Sequence, residues 1–164
     1  MPDRPTTVIC NTSPLQYLHQ ARCLDLLPRL YQEITVPGAV ADEIENGRRL
    51  GHDLPALIDH KWIRIERPQT IAILRAVTDL GAGEREAHAL AVEKPGALII
   101  LDDALARRHA DLLGVRKTGT LGVLVKCKRT GLIPAVRPLI DLLEQLRFRL
   151  DPKTRAEILA MVGE

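Results

Sequence analysis

Residues 97–101, ALIIL, form an unbroken apolar run that ends abruptly at Asp102-Asp103. A run this short, β-branched at its centre and without polar alternation, reads as a strand buried on both faces, as strands of parallel sheets are. A sheet of that kind needs helices on both sides, so strands alternating with helices are expected along the rest of the chain.

That alternation is present. TTVIC (6–10) and EITV (33–36) are short β-rich runs, and VRKTG (115–119) is a further strand candidate. KWIRIER (61–67) sets Trp62, Arg64 and Glu66 against Ile63, Ile65 and Arg67, the period of two expected of a half-exposed edge strand. Between these runs lie helical stretches. Ser13-Pro14 opens one as cap and first-turn residue, with a break near Ala21-Arg22. Another starts after Pro37, with Val40 and Ile44 inward and Gly47 as its stop. Further helices are expected over 69–80, 83–94, 104–113, 120–130, 135–147 and 152–162. The pattern predicts an α/β sandwich around a mostly parallel sheet of four or five strands, as a single domain over 1–150 with a C-terminal helical extension, 151–164, packed on it.

Composition narrows the function. Aromatic residues make up only 2% of the chain, so Leu, Ile, Val and Ala must fill the core, and base stacking is not the main binding mode. No stretch of about 18 residues is apolar throughout, and MPDRPTT lacks the apolar block of a signal peptide, so no membrane association and a cytoplasmic location are expected. Cys10, Cys23 and Cys127 are odd in number and widely spaced, which fits buried small hydrophobes rather than disulfides or a zinc site. His88, four residues after Glu84, is read as a solvated helix-face histidine. Charge is segregated: residues 1–103 carry eleven Lys or Arg against fifteen acids, and residues 104–155 carry twelve against four. An acidic part followed by a basic one suits a carboxylate-lined site beside a surface that attracts a polyanion.

In open parallel sheets, sites form beyond the carboxyl ends of the strands. Asn11 and Ser13 follow the first strand, and Asp102 and Asp103 follow the buried one. Two adjacent carboxylates at a buried strand tip repel each other and are costly to desolvate. Capping the helix that starts near residue 104 explains one of them and leaves the other without a structural reason. Glu84 shares a helix face with Ala87, Leu90 and Ala91, at the end of the buried stripe, while Glu86 points elsewhere. Glu43, three residues after Val40, borders the inner face of its own helix, with Asp42 and Glu45 turned to solvent.

NTSPL, VPGAVADEI, GAGEREAHALA, LIILDDALARRHADLLGV and KTGTLGVLVKCKRTGLI occur in this order over about residues 8–150. In that series the chain resembles the PIN-domain proteins, most closely a prokaryotic toxin branch. The resemblance implies a three-layer α/β/α fold and an acidic cluster binding Mg²⁺ or Mn²⁺. It implies hydrolysis of phosphodiester bonds in RNA, with a small antitoxin protein as possible partner and a homodimer as the expected assembly. Carried over by position, Asn11 stands where the first acid belongs, with Ser13 beside it. Glu43 matches the second acid and Glu84 the third, and Asp102 and Asp103 supply the rest. Hard divalent cations prefer oxygen ligands, so these residue types suit the role. Arg107, Arg108, Lys117, Lys126, Lys128 and Arg129 are then candidates to hold the phosphate backbone.

Asn11 departs from the pattern, because an amide oxygen can ligate but brings no charge. Two functions therefore stay open: a metal-dependent endoribonuclease, and a catalytically weak or inactive module that binds nucleic acid or an antitoxin. A small-molecule enzyme using the aspartate pair lacks a nucleophile motif and ranks last.

Overall fold

A computed structural model of the chain describes residues 4–76 and 78–164, apart from the side chains of Ile71 and Ile73. In chain order its elements are β1 (Val8–Cys10), α1 (Thr12–Gln20), α2 (Leu26–Tyr31), β2 (Ile34–Pro37), α3 (Gly38–Arg49), β3 (Ile63–Glu66), α4 (Ile71–Ala76), α5 (Ala82–Glu93), β4 (Leu98–Ile100), α6 (Ala104–Leu112), β5 (Arg116–Thr118), α7 (Thr120–Arg129), α8 (Arg137–Gln145) and α9 (Pro152–Met161). Five strands form one sheet in the order β3-β2-β1-β4-β5, with every pairing parallel.

Side-chain alternation along the central strands builds three layers. Val8, Cys10, Val36 and Ile100 point into one core with Leu15, Leu18, Leu27, Leu124 and Ile140. Ile9, Ile99 and Leu101 point into a second core with Ala87, Leu90, Ala91 and Ala106. Each fully buried Leu or Ile contributes about 1.5–3 kcal/mol, so an aliphatic core can hold the sheet without aromatic residues. The ALIIL run is buried throughout, as its composition requires. The three cysteines are free and buried.

The strand order places the reversal between β1 and β4, where chain connections run off in opposite directions and leave a crevice beyond the carboxyl ends. Register aligns those ends: Cys10 pairs with Ile100 and Ile100 with Thr118. The ladder continues one residue further, with Asn11 N–H donating to the Ile100 carbonyl at 3.0 Å and Leu101 N–H to the Thr118 carbonyl at 2.9 Å. Asn11 and Asp102 thus leave the sheet at the same end.

The C-terminal helix α9 buries Leu159 in the first core. Arg155 reaches Asp141 at 2.6 Å and Glu144 at 2.7 Å on α8. Glu164 accepts the N–H groups of Val136 at 2.7 Å and Arg137 at 3.1 Å, satisfying donors at the start of α8 that the helix itself cannot. Among the described residues, no helix is long and apolar enough to cross a membrane.

Several local expectations are corrected. The first helix opens at Thr12 with Asn11 in the cap position, so Ser13 lies inside the helix and does not cap it. Gly47 does not end α3. The helix runs to Arg49 and turns at Gly51, whose φ of +88° suits glycine, whereas at Gly47 a Cβ would meet Leu54 Cδ1 at 2.4 Å. β3 is an edge strand, but Ile65 is exposed, and only Trp62 and Ile63 of this stretch reach the core. The helix expected over 69–80 is seen as Ile71–Ala76, and Val77 lies outside the described residues.

Candidate active site

The best-fixed carboxylate is that of Asp102, just beyond β4. Its Oδ1 accepts the Thr120 N–H at 2.8 Å, and its Oδ2 accepts the Thr120 hydroxyl at 2.7 Å. Thr120 is the first residue of α7, so the carboxylate also sits at the positive end of that helix. Burial pushes the Asp102 carboxyl above the ordinary aspartate value, against the pull of the Thr120 donors and of the nearby Arg107 guanidinium. Gly119 makes the approach possible: a Cβ there would lie 2.9 Å from Asp102 Oδ1 and 3.2 Å from an Arg107 nitrogen.

Asp103 does a different job. Its Oδ2 accepts the Ala106 N–H at 2.9 Å, so it is the N-cap of α6. Of the two neighbouring acids, capping therefore accounts for Asp103, and Asp102 is the one held facing the crevice.

Glu43 lies on α3 and Glu84 in the first turn of α5. Thr12, the residue after Asn11, donates its hydroxyl to Glu43 Oε2 at 2.5 Å, and Gly83 N–H reaches Glu43 Oε1 at 3.2 Å. A Cβ on Gly83 would sit 2.8 Å from Val40 Cγ2 and 2.9 Å from Glu43 Oε1, so the glycine permits α3 and α5 to meet. Glu84 accepts the Gly81 N–H at 2.9 Å, half of a capping box that glycine, lacking a side chain, cannot complete. Asn11 is buried, and its side chain makes no cap bond.

Two histidine and glutamate expectations are overturned. His88 is buried, with Nδ1 2.6 Å from the Glu84 carbonyl and Nε2 2.8 Å from the Ala106 carbonyl, so the ring ties α5 to α6 instead of facing solvent. Its position one residue after Ala87, on the stripe side of the helix, was the available signal. Glu86, expected to point away, accepts the Ala39 N–H at 2.7 Å and so caps α3 from α5.

A cavity of about 630 Å³ opens beside Asp102. Of the residues singled out from sequence, Ser13, Asp102, Asp103, Arg107 and Lys117 line it, and Asn11, Glu43, Glu84, Arg108, Lys126, Lys128 and Arg129 do not. Arg107 gives one N–H to the Leu101 carbonyl at 3.1 Å, and Lys117 pairs with Asp111. Lys126, Lys128 and Arg129 occupy the last turn of α7, opposite the end that holds Asp102. Sequence reading missed Arg147 and Arg149, which join the wall from the segment between α8 and α9. It also gave no role to Thr12 and Thr120, although both lie in the NTSPL and KTGTLG stretches that carry the resemblance.

The donor set is one of carboxylates and an amide oxygen, hard ligands of the kind Mg²⁺ and Mn²⁺ take. In that chemistry the residues fit such an ion. As placed, each carboxylate is engaged by protein donors, and among the described residues no three His, Cys, Asp or Glu side chains are grouped closely enough to hold a metal. Ion binding would have to draw these oxygens from N–H and hydroxyl partners. Compared with known families, residues 7–164 match a family model whose description is PIN domain. No curated protein matches the chain.

Proposed function

Because the chain belongs to the PIN-domain family, whose members are generally nucleases and typically use divalent metals, we propose that it is a metal-dependent endoribonuclease working at the carboxyl end of its sheet. The observation that carries this reading is the cavity that sets Asp102 against Arg107, Lys117, Arg147 and Arg149. An acid able to serve a cation and a wall able to hold phosphates share one space, as phosphodiester hydrolysis requires.

Once drawn together from their present N–H and hydroxyl partners, Asp102, Glu43 and Glu84 would hold Mg²⁺ or Mn²⁺, with Asp103 and the neutral Asn11 oxygen at the margin. When bound, such an ion supplies stabilisation of charge developing on the phosphate and an activated water. The chain's own residues do the rest. Thr120 fixes the Asp102 carboxylate at both oxygens, so its direction does not depend on rotamer chance. Arg107 spends one N–H on a backbone carbonyl and keeps the remaining donors of its guanidinium for phosphate. Arg147 and Arg149 extend the positive wall along the backbone of a bound strand.

A second reading is favoured by a specific observation: Asn11 is neutral and, among the described residues, no three acids are grouped for a metal. On this reading the same cavity binds nucleic acid or a small antitoxin without turnover. Purified protein incubated with single-stranded RNA and Mn²⁺ separates the two. Cleavage that stops with EDTA and in Asp102→Asn supports the nuclease; salt-sensitive binding with no cleavage supports the module. The toxin role, an antitoxin partner and a homodimer belong to the same proposal, and sedimentation of the chain alone and with the product of an adjacent small reading frame tests them.

A further inference from the structure

The acids and cations of the cavity beside Asp102 make up only part of its wall. Tyr17, Leu121, Phe148, Leu150 and Ile158 line it as well, all of them partly buried against the first core. Four aromatic residues in a whole chain exclude a track of stacked bases, but two of the four meet in this one cavity. The Tyr17 and Phe148 rings lie 5.0 Å apart at 83°, edge to face, so each leaves at least one face uncovered by the other. Core packing explains their inner edges. It does not explain the apolar surface turned to a cavity that also holds Asp102 and Arg107.

Phe148 is placed there by the way α8 ends. The Arg147 N–H reaches the Glu144 carbonyl at 3.0 Å and the Phe148 N–H the Leu143 carbonyl at 2.9 Å, a paired closure that needs a left-handed residue at its turn. That residue is Arg147, with a φ of +68°. At the same place after α3, α6, α7 and α9 stand Gly51, Gly114, Gly131 and Gly163, each with positive φ. Arg22 makes the same exception after α1, so backbone strain alone assigns no role, but glycine would be the less strained residue at 147. Arg147 and Arg149 flank Phe148 in the chain, are exposed and line the same cavity. Asp151, the acid that follows, gives both oxygens to Thr154, at 2.9 and 2.6 Å, as the cap of α9. A flat apolar surface bordered by two cations matches an unpaired base between its phosphates.

We infer that Phe148 seats one unpaired base of an RNA strand, with Arg147 and Arg149 on the phosphates to either side, and so sets which phosphate lies against Asp102. The subsite rests on the proposed function only in taking this cavity as the place where RNA binds. It makes single-stranded RNA the substrate class, since a base stacked within a duplex does not reach the ring.

The test compares a short labelled oligoadenylate with a ribose-phosphate oligomer of equal length that carries no bases, by anisotropy in EDTA so that cleavage does not enter. Wild type should favour the oligoadenylate by about fivefold or more, the lower range for one base stacked on an aromatic ring. Phe148→Leu should lose most of that preference while binding the baseless oligomer as wild type does. Arg147→Gly should weaken both oligomers alike and reduce the log–log salt slope by about 0.7 for one lost contact. Its melting temperature should equal or exceed that of wild type, which loss of a merely structural side chain would lower. Phe148 is the chain's single phenylalanine, so phenylalanine-labelled wild type gives one set of ring signals. These should shift with the oligoadenylate and stay in place with the baseless oligomer, which keeps the test decisive if Phe148→Leu does not fold. A folded Phe148→Leu that keeps the full preference, or a ring unmoved by the oligoadenylate, would overturn the inference. Cleavage is read separately with Mn²⁺: base-dependent binding without cleavage supports the subsite and removes the nuclease, and cleavage without base preference does the reverse.

Discussion

Thr120 grips Asp102 at both carboxylate oxygens, through its backbone N–H at 2.8 Å and its hydroxyl at 2.7 Å. One residue thus joins the start of α7 to the end of β4, and the neutral amide of Asn11 lies on the neighbouring strand. This contact sets the direction of the acid on which the proposed chemistry depends.

Thr120→Val keeps the backbone donor and the side-chain shape but removes the hydroxyl from a fully buried position. Loss of a hydrogen bond to a charged group is expected to lower stability by about 2 kcal/mol. With that bond gone, one Asp102 oxygen loses its partner and the carboxylate its fixed direction. Urea denaturation should show the stability loss, and RNA cleavage per folded molecule should fall as well.

Asn11→Asp places a second carboxylate next to the end that holds Asp102. Without metal, the added charge should destabilise the fold, since like charges at a buried tip have no relief. With Mn²⁺ the order should reverse, and the ion should raise the melting temperature of the variant more than that of wild type. Equal Mn²⁺ responses would place residue 11 outside the metal's reach.

Gly83→Ala sets two effects against each other. Alanine in a helix gains about 1 kcal/mol over glycine, but the new Cβ would lie 2.8 Å from the buried Val40 and 2.9 Å from Glu43. Val40 is short, branched and fully buried, so the helices must part and the clash should win by about 1–2 kcal/mol. A lower melting temperature, together with weaker Mn²⁺ binding through the displaced Glu43, is the expected result.

Acid should loosen the C-terminal helix first. The Val136 N–H beside Glu164 and the Thr154 hydroxyl beside Asp151 hold both carboxyls below their ordinary values of 4.5 and 3.8. A carboxyl with a depressed folded value favours the fold above its unfolded value, and that contribution fades as pH falls through the folded one. Glu164→Gln and Asp151→Asn should therefore be less stable than wild type at neutral pH and converge with it in acid, as pH falls below the lowered folded values of the two carboxyls. Thermal melts across that range check the sign; a gap that widens in acid would reverse it.

The fold was legible because backbone chemistry and burial agree at each step. ALIIL could only be a doubly covered strand, Gly114 stops α6 with a φ of +68°, and Arg22 with a φ of +57° marks the break between α1 and α2. At the site, the sequence showed which residues could carry charge and at which strand ends they lie. It could not show which donors hold them. Asp103 as cap and Asp102 as the acid clamped by Thr120 differ only in where α7 begins, eighteen residues later in the chain. His88 was misplaced for a related reason: a ring whose two nitrogens each face a backbone carbonyl can be buried, but the partner on α6 is not visible in the local periodicity of α5. Arg147 and Arg149 were overlooked because a loop carries no periodic signal that assigns it to a cavity.

Mn²⁺ titration of the metal-free protein, followed by the loss of the free-ion EPR signal, tests the central claim most directly. Wild type should bind the ion at one site, and Glu43→Gln, Glu84→Gln and Asp102→Asn should each weaken it by about tenfold or more, since each removes one charged ligand. No binding by wild type, or unchanged binding by folded variants at all three positions, would contradict it.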